Sequence, residues 1–325
     1  MNPYWGKHIG SFFTVLLKRI FLFLTGNLSI QDLATDELQI LILLCIAISS
    51  SLVGCFLVLR KMTMQANALS HTVLCGILVS HLICNHTTHT LTGYMIASLI
   101  TALITISLIQ LLTRYAQVQE DASIGLVFTT LFALGIVGVS MYGRNMHIGT
   151  EIVMGNIDAL SLSDCNISLL ALFSNLAITL VFFPTMRLLA FDTQFAKSLG
   201  VNIAIFELLL IIQTAITTTA AFRAVGALLV LAFFVGPTLT ARLFTHKLRT
   251  LLILSCLSSV GCSLCGVALA RHILSLYNIP LSTSALISTL ITCNYLIALP
   301  LSNLYKTIKH KKLQKIPHTK TRVPA

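Results

Sequence analysis

The run LQILILLCIAISSSLVGCFLVL, residues 38–59, ends abruptly at Arg60 and Lys61, and its reading decides the class of fold. It holds no charged residue over 22 positions. At 1.5 Å per residue a helix of that length crosses the roughly 30 Å hydrocarbon layer of a bilayer. Two cations at its end belong among headgroups. Runs of the same kind recur at about 67–84, 91–113, 123–142, 166–186, 202–222, 225–244, 250–274 and 282–304. Between them they take up most of the 325 residues, which are 56% hydrophobic, only 10% charged and have a mean hydropathy of +0.91. Soluble domains carry about 25% charge, so this chain cannot cover a water-facing surface. A disordered scaffold has the opposite balance. An outer-membrane barrel would show segments of about ten alternating residues, and none occurs. The expected fold is an all-α integral membrane protein, a polytopic bundle of 8–10 transmembrane helices in a lipid bilayer.

Placing the charges gives the bundle an orientation. With alternating spans, fifteen of the 21 Lys and Arg fall on one side: Arg60, Lys61, Arg114, Arg187, Lys197, Arg242, Lys247, Arg249 and seven in the last twenty residues. The other side receives Arg144, Arg223 and Arg271. The positive-inside rule assigns the first side, with the C-terminus, to the cytoplasm. The basic tail is therefore read as a topological signal and not as a nucleic-acid contact. Residues 9–24 are apolar but carry Lys18 and Arg19 at their centre. Each would cost about 2.5–3.5 kcal/mol in a spanning helix, so an interfacial helix is expected. The chain divides into an N-terminal segment (1–37), a transmembrane domain (38–304) and a basic tail (305–325). Seven of the nine cysteines lie in apolar runs and read as small buried hydrophobes, the Cys262/Cys265 pair included.

Four stretches carry a family resemblance. Residues 59–77, LRKMTMQANALSHTVLCGI, resemble the "LRRM-x-L-x-GDALSHAVLPG" stretch of manganese/zinc/iron ABC importer permeases. Glu120-Asp121-Ala122-Ser123-Ile124-Gly125 resembles that family's "EDTAIG", and residues 191–201, FDTQFAKSLGV, its "FDPEFARALGV". Arg223-Ala224-Val225-Gly226 through Gly236-Pro237-Thr238-Leu239-Thr240-Ala241-Arg242 is similar to its "R-VG-LLV-AL-P-AATARL". The four occur in the family's order. The resemblance implies a type II-like ABC importer permease of the bacterial cytoplasmic membrane. It implies a second permease, identical or different, a cytoplasmic ABC ATPase and an extracytoplasmic metal-binding protein as partners. The cargo would be Mn, Zn or Fe, with no cofactor bound permanently. Independently, no G-x-x-x-x-G-K-[ST] occurs, so the chain has no P-loop to cradle phosphates.

Buried ionisable groups in a membrane are functional suspects. Asn67, His71 and Cys75 repeat every four residues and share a helix face. One imidazole, one amide oxygen and one thiol could touch a passing divalent ion. In the family pattern an Asp stands where Asn67 is and a Pro where Cys75 is, and the resemblance implies that the Asp–His pair contacts metal. Here the carboxylate is absent, which a partner permease could supply. Alternatively His71 hydrogen-bonds a neighbouring helix. His86 and His89 read as a solvated loop, His81 as a packed histidine, and Glu207 as facing headgroups. In residues 191–201, Asp192 occupies an N-cap position and Gly200 a C′ position, predicting a helix of about two turns. The resemblance makes it the element that docks on the ATPase, through Asp192, Phe195, Ala196 and Gly200. It also implies structural roles for Arg223, Gly226 and Pro237 at a turn between spans.

Three other functions compete. A proton- or sodium-coupled carrier needs intramembrane carboxylates, and only Glu207 approaches one. A siderophore or cobalamin permease would lack the Ser70-His71 stretch. An intramembrane enzyme needs a nucleophile facing a base, whereas Ser70 and His71 project about 100° apart on a helix.

Overall fold

In hydrocarbon every backbone N–H and C=O must be satisfied within the protein, and helices achieve this segment by segment. The computed structural model describes residues 9–25, 34–83, 91–142, 157, 160, 162–278 and 281–314, and no strand occurs among them. Its helices are α1 (Ile9–Leu24), α2 (Thr35–Leu59), α3 (Thr63–Ile83), α4 (Leu91–Tyr115), α5 (Glu120–Tyr142), α6 (Leu162–Val181), α7 (Phe183–Phe191), α8 (Thr193–Ser198), α9 (Ile203–Phe244), α10 (Leu248–Tyr277) and α11 (Thr283–Gln314). Eight stretches among the described residues are long and apolar enough to cross a membrane: α2, α4, α5, α6, the two halves of α9, α10 and α11. The 21 residues of α3 are also sufficient in length, at roughly 31 Å.

Helix α2 is the hub. It packs against α6, α9 and α10, and nearly all of its second half is buried. Small residues permit this. A Cβ added at Gly54 would overlap the backbone carbonyl of Phe234, so α2 and α9 meet at backbone distance. Around that contact Ile42, Leu43, Phe56, Phe233, Phe234 and Ile287 are fully buried. Polar side chains join the same helices: the Nδ2 amide of Asn175 donates to Ser49 Oγ at 2.7 Å and to Thr217 Oγ1 at 2.6 Å.

Charge pairs fix the two ends of α2. At its start, the buried Asp36 takes Arg271 of α10 at 2.6 Å, and Glu37 pairs with Arg19 of α1. At its finish, Arg60 pairs with Glu207 of α9. The α2 N-terminus thus meets the α10 C-terminus, which makes the two antiparallel, as alternating spans require. The turn into α3 is a Schellman motif: Lys61 adopts φ 60°, Lys61 N donates to Val58 O at 3.3 Å, and Met62 N donates to Leu57 O at 2.9 Å.

Two boundaries differ from the sequence reading. The span expected at 166–186 stops at Val181, and α7 begins anew with Pro184 in its first turn, where a proline costs no hydrogen bond. The spans expected at 202–222 and 225–244 are both present, as Ile203–Phe222 and Ala224–Phe244, and follow each other without a loop. Gly226 alone breaks the helical geometry, at φ 76° and ψ 164°, a region open essentially only to glycine. The last helix continues to Gln314, so the boundary drawn at residue 304 lies inside it.

Candidate metal path and docking helix

Helix α3 lies against α4, α5 and α9. Asn67, His71 and Cys75 are each half-buried on it. The His71 ring is held by two aromatic rings of α5: Phe128 at 5.1 Å between centroids and Phe132 at 5.3 Å. These phenyl rings, 57 and 61 positions further along the chain, fix the imidazole without using its nitrogens. Among the described residues no hydrogen bond to His71 occurs, and the contacts that its ring makes are these two aromatic ones. Cys75 carries a free thiol.

Ser70 is fully buried and its hydroxyl donates to Asn67 O at 2.8 Å. Its hydrogen bond closes within its own helix and does not run to His71. No group of three His, Cys, Asp or Glu side chains able to hold a metal occurs among the described residues. Asn67 and Cys75 stand eight residues apart, about 12 Å along the helix axis, so the amide, imidazole and thiol form a row along one face and not a single ligand set. One and a half turns towards the Arg60 end of α3, Gln65 Nε2 donates to Glu120 Oε1 at 2.9 Å. Ala68, Ile109, Ile124 and Val127 form a small apolar cluster beside that seam.

At the Arg60 end of the bundle stands α8. Asp192 Oδ1 accepts from Phe195 N at 2.9 Å, capping the helix. The far end is a second Schellman motif: Gly200 at φ 79°, Gly200 N to Lys197 O at 3.0 Å and Val201 N to Ala196 O at 3.1 Å. Ala196 is fully buried, whereas Phe191, Phe195 and Leu199 are 61%, 53% and 60% exposed. A short helix with one small buried contact thus presents a row of large apolar groups outward.

Other sequence candidates fall elsewhere. His86 and His89 lie outside the described residues, as do the side chains of His81 and Arg223. Pro237 is buried within the second half of α9, beside Gly236, where an added Cβ would meet Ile291 of α11. Glu207 does not face headgroups alone: it pairs with Arg60, whose Nη1 also donates to Leu189 O at 3.2 Å. Sequence reading missed that link because its partners stand 129 and 147 positions away. The available signal was an arginine closing an apolar run together with a lone acid near the start of another.

Comparison with known proteins follows from this geometry. The model of the ABC 3 transport family matches residues 37–302. The chain belongs to this family. The match begins within the first turn of α2, so α1 lies outside it. A relative in Chlamydia pneumoniae, a probable metal transport system membrane protein, is 37% identical over 91% of both chains. The manganese transport system membrane protein MntD of Bacillus subtilis is 38% identical, covering 65% of this chain and 75% of its own. The solved structure of PsaBC from Streptococcus pneumoniae in complex with Fab has the same fold, with a TM-score of 0.73 over 86% of this chain and 95% of that one, at 23% identity. The family's all-helical permease architecture is therefore that of this chain.

Proposed function

We propose that this chain is the membrane permease of an ATP-driven importer of a divalent transition metal, Mn, Zn or Fe. The observation that carries the reading is the α3 face, which bears Asn67, His71 and Cys75 with His71 braced by Phe128 and Phe132 of α5 and, among the described residues, no complete ligand set around it. The ion is passed along this face, and a second permease contributes the carboxylate that Asn67 lacks. ATP is hydrolysed on a separate subunit, in keeping with the missing P-loop. That subunit docks on α8 through Phe191, Phe195 and Leu199, on the cytoplasmic side that also receives the C-terminus. An extracytoplasmic binding protein delivers the metal to the opposite side. Relatives named for metal and manganese transport support this cargo class.

The test is Mn²⁺ uptake into proteoliposomes holding this chain, its second permease and its ATPase, compared with the same vesicles bearing His71→Phe. Phenylalanine keeps the aromatic packing and removes both nitrogens. Loss of uptake with normal assembly is expected; unchanged uptake kinetics remove His71 from the path.

A further inference from the structure

Helices α7, α8 and α9 are joined by short capped joints. Asp192 is at once the C-cap of α7 and the N-cap of α8. Asn202, directly after the α8 C-terminal motif, caps α9 by accepting from Ala204 N at 3.1 Å. The three helices form a staple with α8 at its bend, since Leu189 of α7 and Glu207 of α9 both reach Arg60. Its two arms are gripped by a single side chain from another part of the chain. Arg60 Nη1 donates to Leu189 O in the last turn of α7, where carbonyls lack helical partners and the helix dipole is negative. Its Nη2 meets Glu207 in α9. Around them Phe56, Met186, Leu189, Phe206 and Leu210 leave a cavity of only about 10 Å³. The Arg60 side chain is 10% exposed. The Glu207 side chain is 42% exposed, so the grip rests on the sheltered guanidinium holding two acceptors at once and not on a desolvated ion pair.

Arg60 is also the C-cap of α2, three residues before α3 begins. The same backbone corner thus holds the staple and sets the start of the helix that carries Asn67 and His71. We infer that Arg60 is the positioning residue that couples α8 to the metal path: displacement of the docking helix is transmitted through Leu189 O and Glu207 to the α2–α3 corner. Guanidinium is required because two acceptors on different helices must be reached at once by a planar fork, which an ammonium does not provide. The inference rests on the importer reading, and the experiment separates the two.

Arg60→Lys and Glu207→Ala are placed in the full complex of two permeases and ATPase, in proteoliposomes with the binding protein. Three quantities are measured: ATPase co-purification, ATP hydrolysis and Mn²⁺ taken up per ATP. Both variants are expected to keep co-purification and hydrolysis within about twofold while Mn²⁺ per ATP falls about tenfold, in the range of ordinary allosteric couplings. Glu207→Asp, which retains the ion pair, should recover most of the ratio. An unchanged ratio in both variants overturns the inference. So does a fall in uptake that merely tracks lost co-purification, since Arg60 would then only shape the docking surface. Failure of the importer reading is seen separately, as absent ATP-dependent uptake in the wild-type complex. Glu207 is partly exposed and tolerates replacement, so the question is answered even where an Arg60 variant folds poorly.

Discussion

Replacing Asp192 by alanine removes one hydrogen bond, Oδ1 to Phe195 N at 2.9 Å, from a helix of six residues. An N-cap of this kind contributes about 1 kcal/mol, which is roughly fivefold in the population of the formed helix. At the other end, Gly200 stands at φ 79°, where any Cβ costs about 1 kcal/mol. The two losses act on the same folding equilibrium of one short element. Asp192→Ala and Gly200→Ala should each weaken ATPase binding about fivefold, and the double variant about 30-fold, from the same energies. Asp192→Asn is the decisive control, because asparagine caps as well as aspartate. The assay is the affinity of the detergent-solubilised permease for its isolated ATPase. If Asp192→Asn binds as poorly as Asp192→Ala, the carboxylate touches the partner directly and the capping argument fails. A wild-type affinity for Asp192→Ala would remove α8 from the interface.

Further outcomes follow from other contacts. His71→Phe should retain the melting temperature within a few degrees and lower Mn²⁺ uptake about tenfold or more, read by thermal unfolding and flux on the same preparation; equal losses in both would mean that His71 only packs. Gly226→Ala forces a side chain into φ 76° and ψ 164°, costing about 1–3 kcal/mol, seen as a lower melting temperature. Gly54→Ala drives a methyl into the backbone of Phe234 and should destabilise the α2–α9 contact by about 1–3 kcal/mol, with a wild-type melting temperature contradicting that packing.

The helices were legible because burial in lipid is written in unbroken apolar runs, as at residues 38–59, and needs no long-range information. The α8 caps were legible for the same reason: Asp192 and Gly200 act on neighbours three to four residues away. The two spans of α9 are legible as two apolar runs, but a motif glycine alone does not tell a loop from the single broken residue that Gly226 is. The site was legible only as a face of one helix. What holds His71 there, Phe128 and Phe132, comes from another helix whose register periodicity does not fix. The same limit hid the Asn175–Ser49–Thr217 link and the two partners of Arg60. Glu207 in particular looked like a headgroup residue because nothing local announces an ion pair formed 147 positions away.

The central claim is that this chain conducts metal as the permease of an ATP-driven importer. It is tested most directly by Mn²⁺ flux into proteoliposomes containing this chain with and without the second permease and the ATPase, ATP being supplied on the ATPase side. Uptake that appears only in the full complex and only with ATP is the expected result. Robust uptake by this chain alone, driven by a proton or sodium gradient without nucleotide, would contradict the account.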